Sequence, residues 1–194
     1  MPALPPVTKA LLLTCVAAFC LNLFFPLTWL ALWPLGSGQF MPWQVVSYSL
    51  LHGSEMHLFF NMLGLWMFGS EIENLWGGRR YSQYLLASVV AAAITQLVFN
   101  WLTRSMAPTV GASGALFGLL LAYGLLFPNR TIMPLFPPIP MKARTFVMVF
   151  GAVELFLGMT GRTGIAHFAH LGGMVGGWLM IAWWRGRWPF GGRR

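Results

Sequence analysis

The sequence predicts an all-α membrane protein, a single bundle of six transmembrane helices. Of its 194 residues, 57% are hydrophobic and only 8% are charged, a composition outside that of soluble globular domains. Mean hydropathy is +0.68. Six apolar runs of bilayer length follow one another, and no polar stretch between them is long enough to form a soluble domain. Residues 1–194 are therefore predicted to form one membrane domain.

The six predicted helices follow the apolar runs in order. They cover about residues 10–30, 56–75, 81–103, 111–127, 145–159 and 164–184. The first run resembles the core of a signal peptide but lacks the small residues of a cleavage site before Pro26, so it is predicted to remain as a helix. Residues 26–51 form an uncharged loop rich in Trp, Pro and Gly, predicted to lie in the membrane interface. This loop either anchors the chain or shapes access to a site.

The basic residues predict the orientation of the bundle. Six helices place both termini on one side of the membrane, and that side would carry ten of the twelve basic residues: Lys9, Arg79, Arg80, Arg130, Lys142, Arg144, Arg185, Arg187, Arg193 and Arg194. The other side would carry only Arg104 and Arg162. Because Lys and Arg are retained in the cytoplasm, both termini are predicted to be cytoplasmic. The same scattered distribution argues against nucleic-acid binding despite a net charge of +8.

Polar side chains in the second, fourth and sixth helices share one predicted depth. These helices run inward from the outer face, and a rise of about 1.5 Å per residue places His57, Ser113 and His170 roughly 5 to 9 Å below the outer boundary. Polar groups at membrane depth are costly and usually mark a functional site. We therefore predict a site in the outer half of the bilayer that water reaches from outside.

Glycine patterns predict that two of these side chains meet. Gly114 and Gly118 form a small-residue stripe beside Ser113, and residues 172–177 supply two more stripes on the face of the sixth helix that carries His170. Such stripes allow helix backbones to approach closely. The hydroxyl and the imidazole are thus predicted to lie within hydrogen-bonding reach.

The second helix predicts further donors for the same site. His57 and Asn61 are four residues apart and therefore share a helix face that could aim two donors at Ser113. A hydroxyl, an imidazole and additional donors are the groups that a serine hydrolase requires. The histidine spacing and the absence of an HExxH motif predict no metal site, and no cofactor is predicted.

A catalytic triad would need an acidic side chain in addition to the hydroxyl and the imidazole. The sequence contains no Asp, and Glu154 in the fifth helix is the one buried Glu that could replace it. Because a buried carboxylate can equally bond to neighbouring helices, a dyad with His170 oriented by Phe117 and by packing is favoured over a triad. His167 is predicted to face the outer water.

Taken together, the motifs resemble those of the rhomboid family of intramembrane serine proteases. The likeness runs from Trp43 to Gly177 and includes the segments HGSEMHLFFN, GASG and AHLGG. It implies a six-helix core, a Ser113–His170 dyad and an oxyanion site formed by the Ser113 backbone N–H, His57 and Asn61. It also implies that Phe117, where many relatives have Tyr, stacks on the histidine. Implied substrates are single-pass membrane proteins cut in or near their transmembrane segment.

The functional expectation is an intramembrane serine endopeptidase acting in the lipid bilayer. Two alternatives remain open: a catalytically inactive rhomboid-like protein that binds membrane proteins, and a small transporter with a polar pathway. A transporter would favour polar residues across the full thickness, whereas polarity here stops in the outer half. The expected location is a bacterial inner membrane, with the site open to the periplasm.

Overall fold

The computed structural model describes residues 4–135, 138–160 and 165–186. This part of the chain contains seven α-helices: α1 (Pro6–Phe24), α2 (Gln44–Ser47), α3 (Glu55–Gly64), α4 (Ser70–Thr103), α5 (Ser113–Leu126), α6 (Ala143–Thr160) and α7 (His167–Trp184). Between α5 and α6, a short hairpin pairs β1 (Thr131–Ile132) with antiparallel β2 (Met141–Lys142). The mostly helical architecture agrees with the predicted fold class.

The centre of the bundle is formed by α4, α5 and α7, which pack mainly against one another. Tyr81 and Tyr84 of α4 and Leu119 of α5 are fully buried there. Large apolar side chains such as Trp101 and Phe156 point outward and are mostly exposed. An apolar exterior around a packed core is the arrangement that a lipid environment favours.

Three helical runs in the described ranges are long and apolar enough to cross a bilayer. They are α1, the 49-residue run Glu55–Thr103, and α6. Helix α5 is apolar but has only 14 residues. The number of six crossings therefore stays a prediction.

The long run Glu55–Thr103 is divided by Gly77. A five-residue π-helical turn, Leu65–Gly69, joins α3 to α4, and the helix continues to Gly77, whose φ of 75° and ψ of 156° are not helical. A straight helix would separate residues 69 and 81 by about 18 Å, yet a Cβ added at Gly69 would touch the Tyr81 hydroxyl. The chain thus folds back at Gly77, between the predicted second and third helices.

Helix α1 begins and ends earlier than the predicted range 10–30. Its first turn is capped by Glu73 of α4, whose carboxylate accepts bonds from Val7 N at 2.8 Å and Thr8 N at 2.7 Å. A carboxylate at this position satisfies N–H groups that have no partner inside the helix. The helix ends at Phe24 because the residue before Pro26 is disfavoured in the helical conformation.

The other predicted boundaries shift by a few residues. Helix α5 begins at Ser113 rather than at 111, and α6 begins at Ala143 rather than at 145. Helix α7 begins at His167, whereas the predicted sixth helix began at 164; residues 161–164 lie outside the described ranges. The shift in α5 matters because it places Ser113 at the first position of the helix.

The predicted interfacial loop, residues 26–51, is a folded element held together by Gln44. Short 3-10 turns precede α2, and the fully buried Gln44 amide donates to the carbonyls of Trp29 and Gln39, both at 3.0 Å. Its oxygen accepts a bond from Trp33 N at 3.2 Å. Trp29 is half exposed on the outside of this loop, which fits a position among lipid headgroups.

The same loop supports the segment that leads into α5. Leu32 and Thr109 exchange two backbone hydrogen bonds of 2.9 and 3.0 Å, and Gly111 N donates to the carbonyl of Tyr48 at 3.0 Å. Tyr48 is itself tied to α4, since its hydroxyl donates to Val89 O at 2.9 Å. The loop therefore fixes the position at which α5 begins.

Candidate active site

Ser113 stands at the first position of α5, directly after a sharp turn. Gly111 has a φ of 128°, which side-chain-bearing residues rarely adopt. The first hydrogen bond into the helix is donated by Leu116 N to Ala112 O, so the N–H groups before it have no acceptor within the helix. A half-buried hydroxyl thus sits beside free backbone donors at the positive end of a helix.

The imidazole of His170 lies within hydrogen-bonding distance of this hydroxyl. Its Nε2 is 2.7 Å from Ser113 Oγ, although the two residues are 57 positions apart. The Phe117 ring, one turn beyond Ser113, lies parallel to the His170 ring with centroids 4.3 Å apart and an interplanar angle of 7°. The predicted site residues Ser113, His170 and Phe117 therefore lie together.

Glycines of α5 and α7 make this contact possible, as their stripes predicted. A Cβ added at Gly173 would overlap the backbone carbonyl of Gly114, and one at Gly118 would lie 3.1 Å from Gly173 O. The second stripe of α7 has a different partner: a Cβ at Gly176 would lie 2.5 Å from Ala87 O of α4. The α7 backbone therefore packs closely against both α5 and α4.

A carboxylate occupies the far side of the His170 ring. Glu154 Oε2, from α6, is 2.8 Å from His170 Nδ1 and 2.6 Å from His167 Nδ1. His167 is 4% exposed, so the prediction that it faces the outer water was wrong. The expectation that packing and Phe117 alone orient His170 was also incomplete, because the Glu154 carboxylate bonds to its Nδ1 as well.

The three side chains also meet the basic requirement for a metal site. One ligand atom from each of Glu154, His167 and His170 lies within 4.8 Å of the others. In a tetrahedral zinc site, bonds of about 2.0 to 2.1 Å keep ligand atoms about 3.3 Å apart. The 2.6 and 2.8 Å separations are those of hydrogen bonds, so we interpret the cluster as a hydrogen-bonded one.

His57 also lies beside Ser113. A Cβ added at Gly111 would be 2.7 Å from His57 Nε2 and 3.5 Å from Ser113 Oγ, so both atoms border the space above that glycine. Gly53 N donates to His57 Nδ1 at 3.4 Å, a bond that leaves the hydrogen on Nε2. His57 can therefore present a donor toward the neighbourhood of Ser113.

Asn61 is buried one turn further along α3, and one of its two amide N–H groups already has a partner. Its Nδ2 donates to the carbonyl of His57 at 2.8 Å, and its Oδ1 has no hydrogen-bond partner in the described part of the chain. Because Nδ2 carries two hydrogens, the amide keeps a second N–H beside the one that the His57 carbonyl accepts.

His52, in the loop before α3, packs edge to face against His57 with ring centroids 5.1 Å apart. Burial, with a smaller contribution from the nearby His57, lowers the pKa of His52 to about 4. The ring is therefore neutral at pH 7 and acts as a packing partner for His57.

Comparison with known proteins identifies the family of this chain. Residues 39–187 match the Rhomboid domain family, and the chain therefore belongs to the rhomboid family. It is 29% identical over 185 residues to the rhomboid protease GlpG of Yersinia pestis (strain Pestoides F), covering 92% of this chain and 62% of that protein. It is 31% identical over 143 residues to Rhomboid protein 1, mitochondrial, of Saccharomyces cerevisiae, covering 72% of this chain and 41% of the relative.

Family membership and the apolar helices together identify an integral membrane protein. The chain spans less than two thirds of the length of these two relatives.

Two features of the structure were not predicted from the sequence: the contact of His167 with Glu154, which His170 shares, and the role of Gln44 in the first loop. The available signal for the His167 contact was its spacing of three residues from His170, which makes the two side chains neighbours on a helix.

Proposed function

We propose that the protein is an intramembrane serine endopeptidase in which Ser113 is the nucleophile and His170 the general base. The observation that carries this proposal is the 2.7 Å contact between Ser113 Oγ and His170 Nε2 in an apolar bundle. A serine hydroxyl is a weak nucleophile unless an adjacent base accepts its proton. The name of the Yersinia pestis relative, a rhomboid protease, supports the protease activity.

The reaction follows from the positions of these two side chains. His170 Nε2 takes the proton of Ser113 Oγ as the oxygen bonds to the scissile carbonyl carbon. When the tetrahedral intermediate collapses, the carbon–nitrogen bond breaks and His170 returns the proton to the leaving amine. Water then attacks the acyl-enzyme with His170 again as base, and collapse of the second intermediate releases the acid and restores the Ser113 hydroxyl.

Backbone and side-chain donors stabilise the oxyanion that forms in both steps. The Ser113 N–H lies at the positive end of α5, and His57 presents Nε2 next to Gly111. Asn61 contributes the second N–H of its amide, since the first is bonded to the His57 carbonyl. Preorganised donors of this kind act most strongly in a water-poor site.

The substrates are single-pass membrane proteins, and the site opens to the outer face of the membrane. Contacts at the opposite end of the bundle support this orientation: Arg80 lies over the Trp184 ring, and Arg130 bonds to Glu71, so basic residues gather away from Ser113. Lys and Arg are retained in the cytoplasm, which places the site toward the periplasm in a bacterial inner membrane. Of the basic residues used for this prediction, Arg162, Arg187, Arg193 and Arg194 lie outside the described ranges.

A fluorophosphonate probe tests the proposed function directly. The folded protein in detergent should be labelled, and Ser113→Ala should remove the label because the probe reacts only with an activated serine. Ser88→Ala is the matched control, since Ser88 Oγ is buried in α4 without a partner among the described residues. Labelling that survives in Ser113→Ala, or its absence in folded wild-type protein, would contradict the proposal.

Removal of the side-chain oxyanion donors should reduce cleavage without eliminating it. His57→Ala is expected to lower kcat by about 10²- to 10³-fold, the usual cost of one such donor. Asn61→Ala should likewise cause a partial loss, because the Ser113 N–H and His57 remain. Cleavage of a model transmembrane substrate in detergent measures both effects. Wild-type turnover in either variant would remove that residue from the oxyanion site.

A further inference from the structure

One carboxylate oxygen in α6 is shared by two histidines of α7. Glu154 Oε2 is 2.8 Å from His170 Nδ1 and 2.6 Å from His167 Nδ1, and all three side chains are buried. Buried carboxylates are costly unless they are paired and hydrogen-bonded. The cluster is therefore a specific arrangement, and the dyad mechanism alone gives it no role.

The shared carboxylate determines which nitrogen of His170 carries the hydrogen. An ionised carboxylate only accepts hydrogen bonds, so Nδ1 of each ring must be the donor. A neutral imidazole has a single N–H, which leaves Nε2 of His170 as an acceptor. Nε2 is the atom 2.7 Å from Ser113 Oγ. The other tautomer would direct an N–H at the hydroxyl and could not accept its proton.

Two further contacts keep this arrangement in place. His167 holds Glu154 Oε2 from a second direction, which limits rotation of the carboxylate away from His170. Phe117 covers one face of the His170 ring at a centroid separation of 4.3 Å. Glu154 therefore holds the edge of the His170 ring and Phe117 covers its face, so that Nε2 is directed at Ser113.

We propose that Glu154, held by His167, is a positioning residue that fixes His170 in its Nδ1–H tautomer and stabilises the imidazolium formed when Ser113 gives up its proton. His170 keeps its Nδ1 hydrogen throughout, the proton taken from Ser113 passes from Nε2 to the leaving amine, and Glu154 stays ionised. This inference rests on the proposed function, because it describes the same site. It replaces a two-residue dyad with a chain of four side chains.

Nitrogen-15 NMR of histidine-labelled protein tests the tautomer without any need for activity. In Ser113→Ala protein, His170 should show a protonated Nδ1 and an unprotonated Nε2, assigned by comparison with the Ser113→Ala, His170→Ala double variant. Adding Glu154→Gln should produce a mixture of tautomers, since an amide can donate as well as accept. A protonated Nε2 in the Ser113→Ala protein, or an unchanged tautomer after Glu154→Gln, would overturn the inference.

Kinetics on the full chain in detergent provide the second test. Glu154→Gln should lower kcat by about 10²- to 10⁴-fold with KM nearly unchanged, because the side-chain volume is kept and only the orientation of the base is lost. His167→Gln should cause a smaller loss in kcat. Glu55→Gln, at the exposed start of α3, is the matched control and should cleave like wild type.

The outcomes separate this inference from the proposed function. Wild-type protein that neither cleaves nor reacts with the fluorophosphonate would refute the proposed function whatever the NMR shows. Active wild-type protein together with wild-type kcat in Glu154→Gln would refute only the role of Glu154. If Glu154→Gln fails to fold, the tautomer measured with Glu154 in place still decides the question.

Discussion

Replacing His170 by alanine is expected to eliminate proteolysis while the helical bundle stays folded. Within the described residues, the His170 ring is the only base in hydrogen-bonding contact with Ser113 Oγ. Without it the hydroxyl keeps its proton and cannot attack, and loss of the base in a serine protease costs about 10⁶-fold in kcat. Cleavage of a model transmembrane substrate in detergent measures the loss, and a thermal melting curve checks the fold.

The stability of this variant should change less than its activity. The substitution removes the stack on Phe117 and the bond to Glu154, so some decrease in melting temperature is expected. Cleavage should therefore be absent, whereas the thermal melting curve should still show cooperative unfolding. A variant that retains full cleavage would reject His170 as the base.

Replacing Gly173 by alanine should disrupt the contact between α5 and α7. The added Cβ would overlap the backbone carbonyl of Gly114, and a backbone atom cannot move aside as a flexible side chain can. Overpacking of this kind costs about 1 to 3 kcal/mol, and we expect a value at the upper end. Because Ser113 precedes Gly114 directly, the same displacement should separate it from His170 and remove most of the activity.

Gly151→Ala provides the matched control for this prediction. Gly151 lies inside α6, where a Cβ would meet Met174 Cε at 3.5 Å, an ordinary van der Waals contact. Alanine also has the higher helix propensity, so the control should be neutral or slightly stabilising. Melting temperature and cleavage rate measured on both variants test the difference. Equal behaviour of the two would contradict the proposed role of the close approach.

The contact between Ser113 and His170 was predictable because glycine spacing reports backbone proximity. In an apolar bundle, a position that allows no Cβ must face another helix, and Gly173 faces Gly114. That His57, Ser113 and His170 lie at one level of the bundle was predictable from helix direction and rise alone. These signals depend on local periodicity, which a single sequence contains.

The Glu154 contacts were not predictable in the same way. Helix α6 is apolar around much of its circumference, so its sequence does not say which face turns toward α7. The position of His167 depended on the start of α7, which the structure places three residues after the predicted start at 164. Tertiary packing determines both features. The folded first loop was missed because the buried bonds of Gln44 join residues without any periodic pattern.

The short length of α5 has a consequence for how water enters the membrane. Fourteen residues extend about 21 Å, whereas the hydrocarbon core is about 30 Å thick. If the helix ends at the inner boundary, its first residue remains about 9 Å beneath the outer one. The loop of residues 26–51 bonds to Thr109 and Gly111, just before Ser113, so its peptide groups would offer hydrolytic water a polar route to that depth.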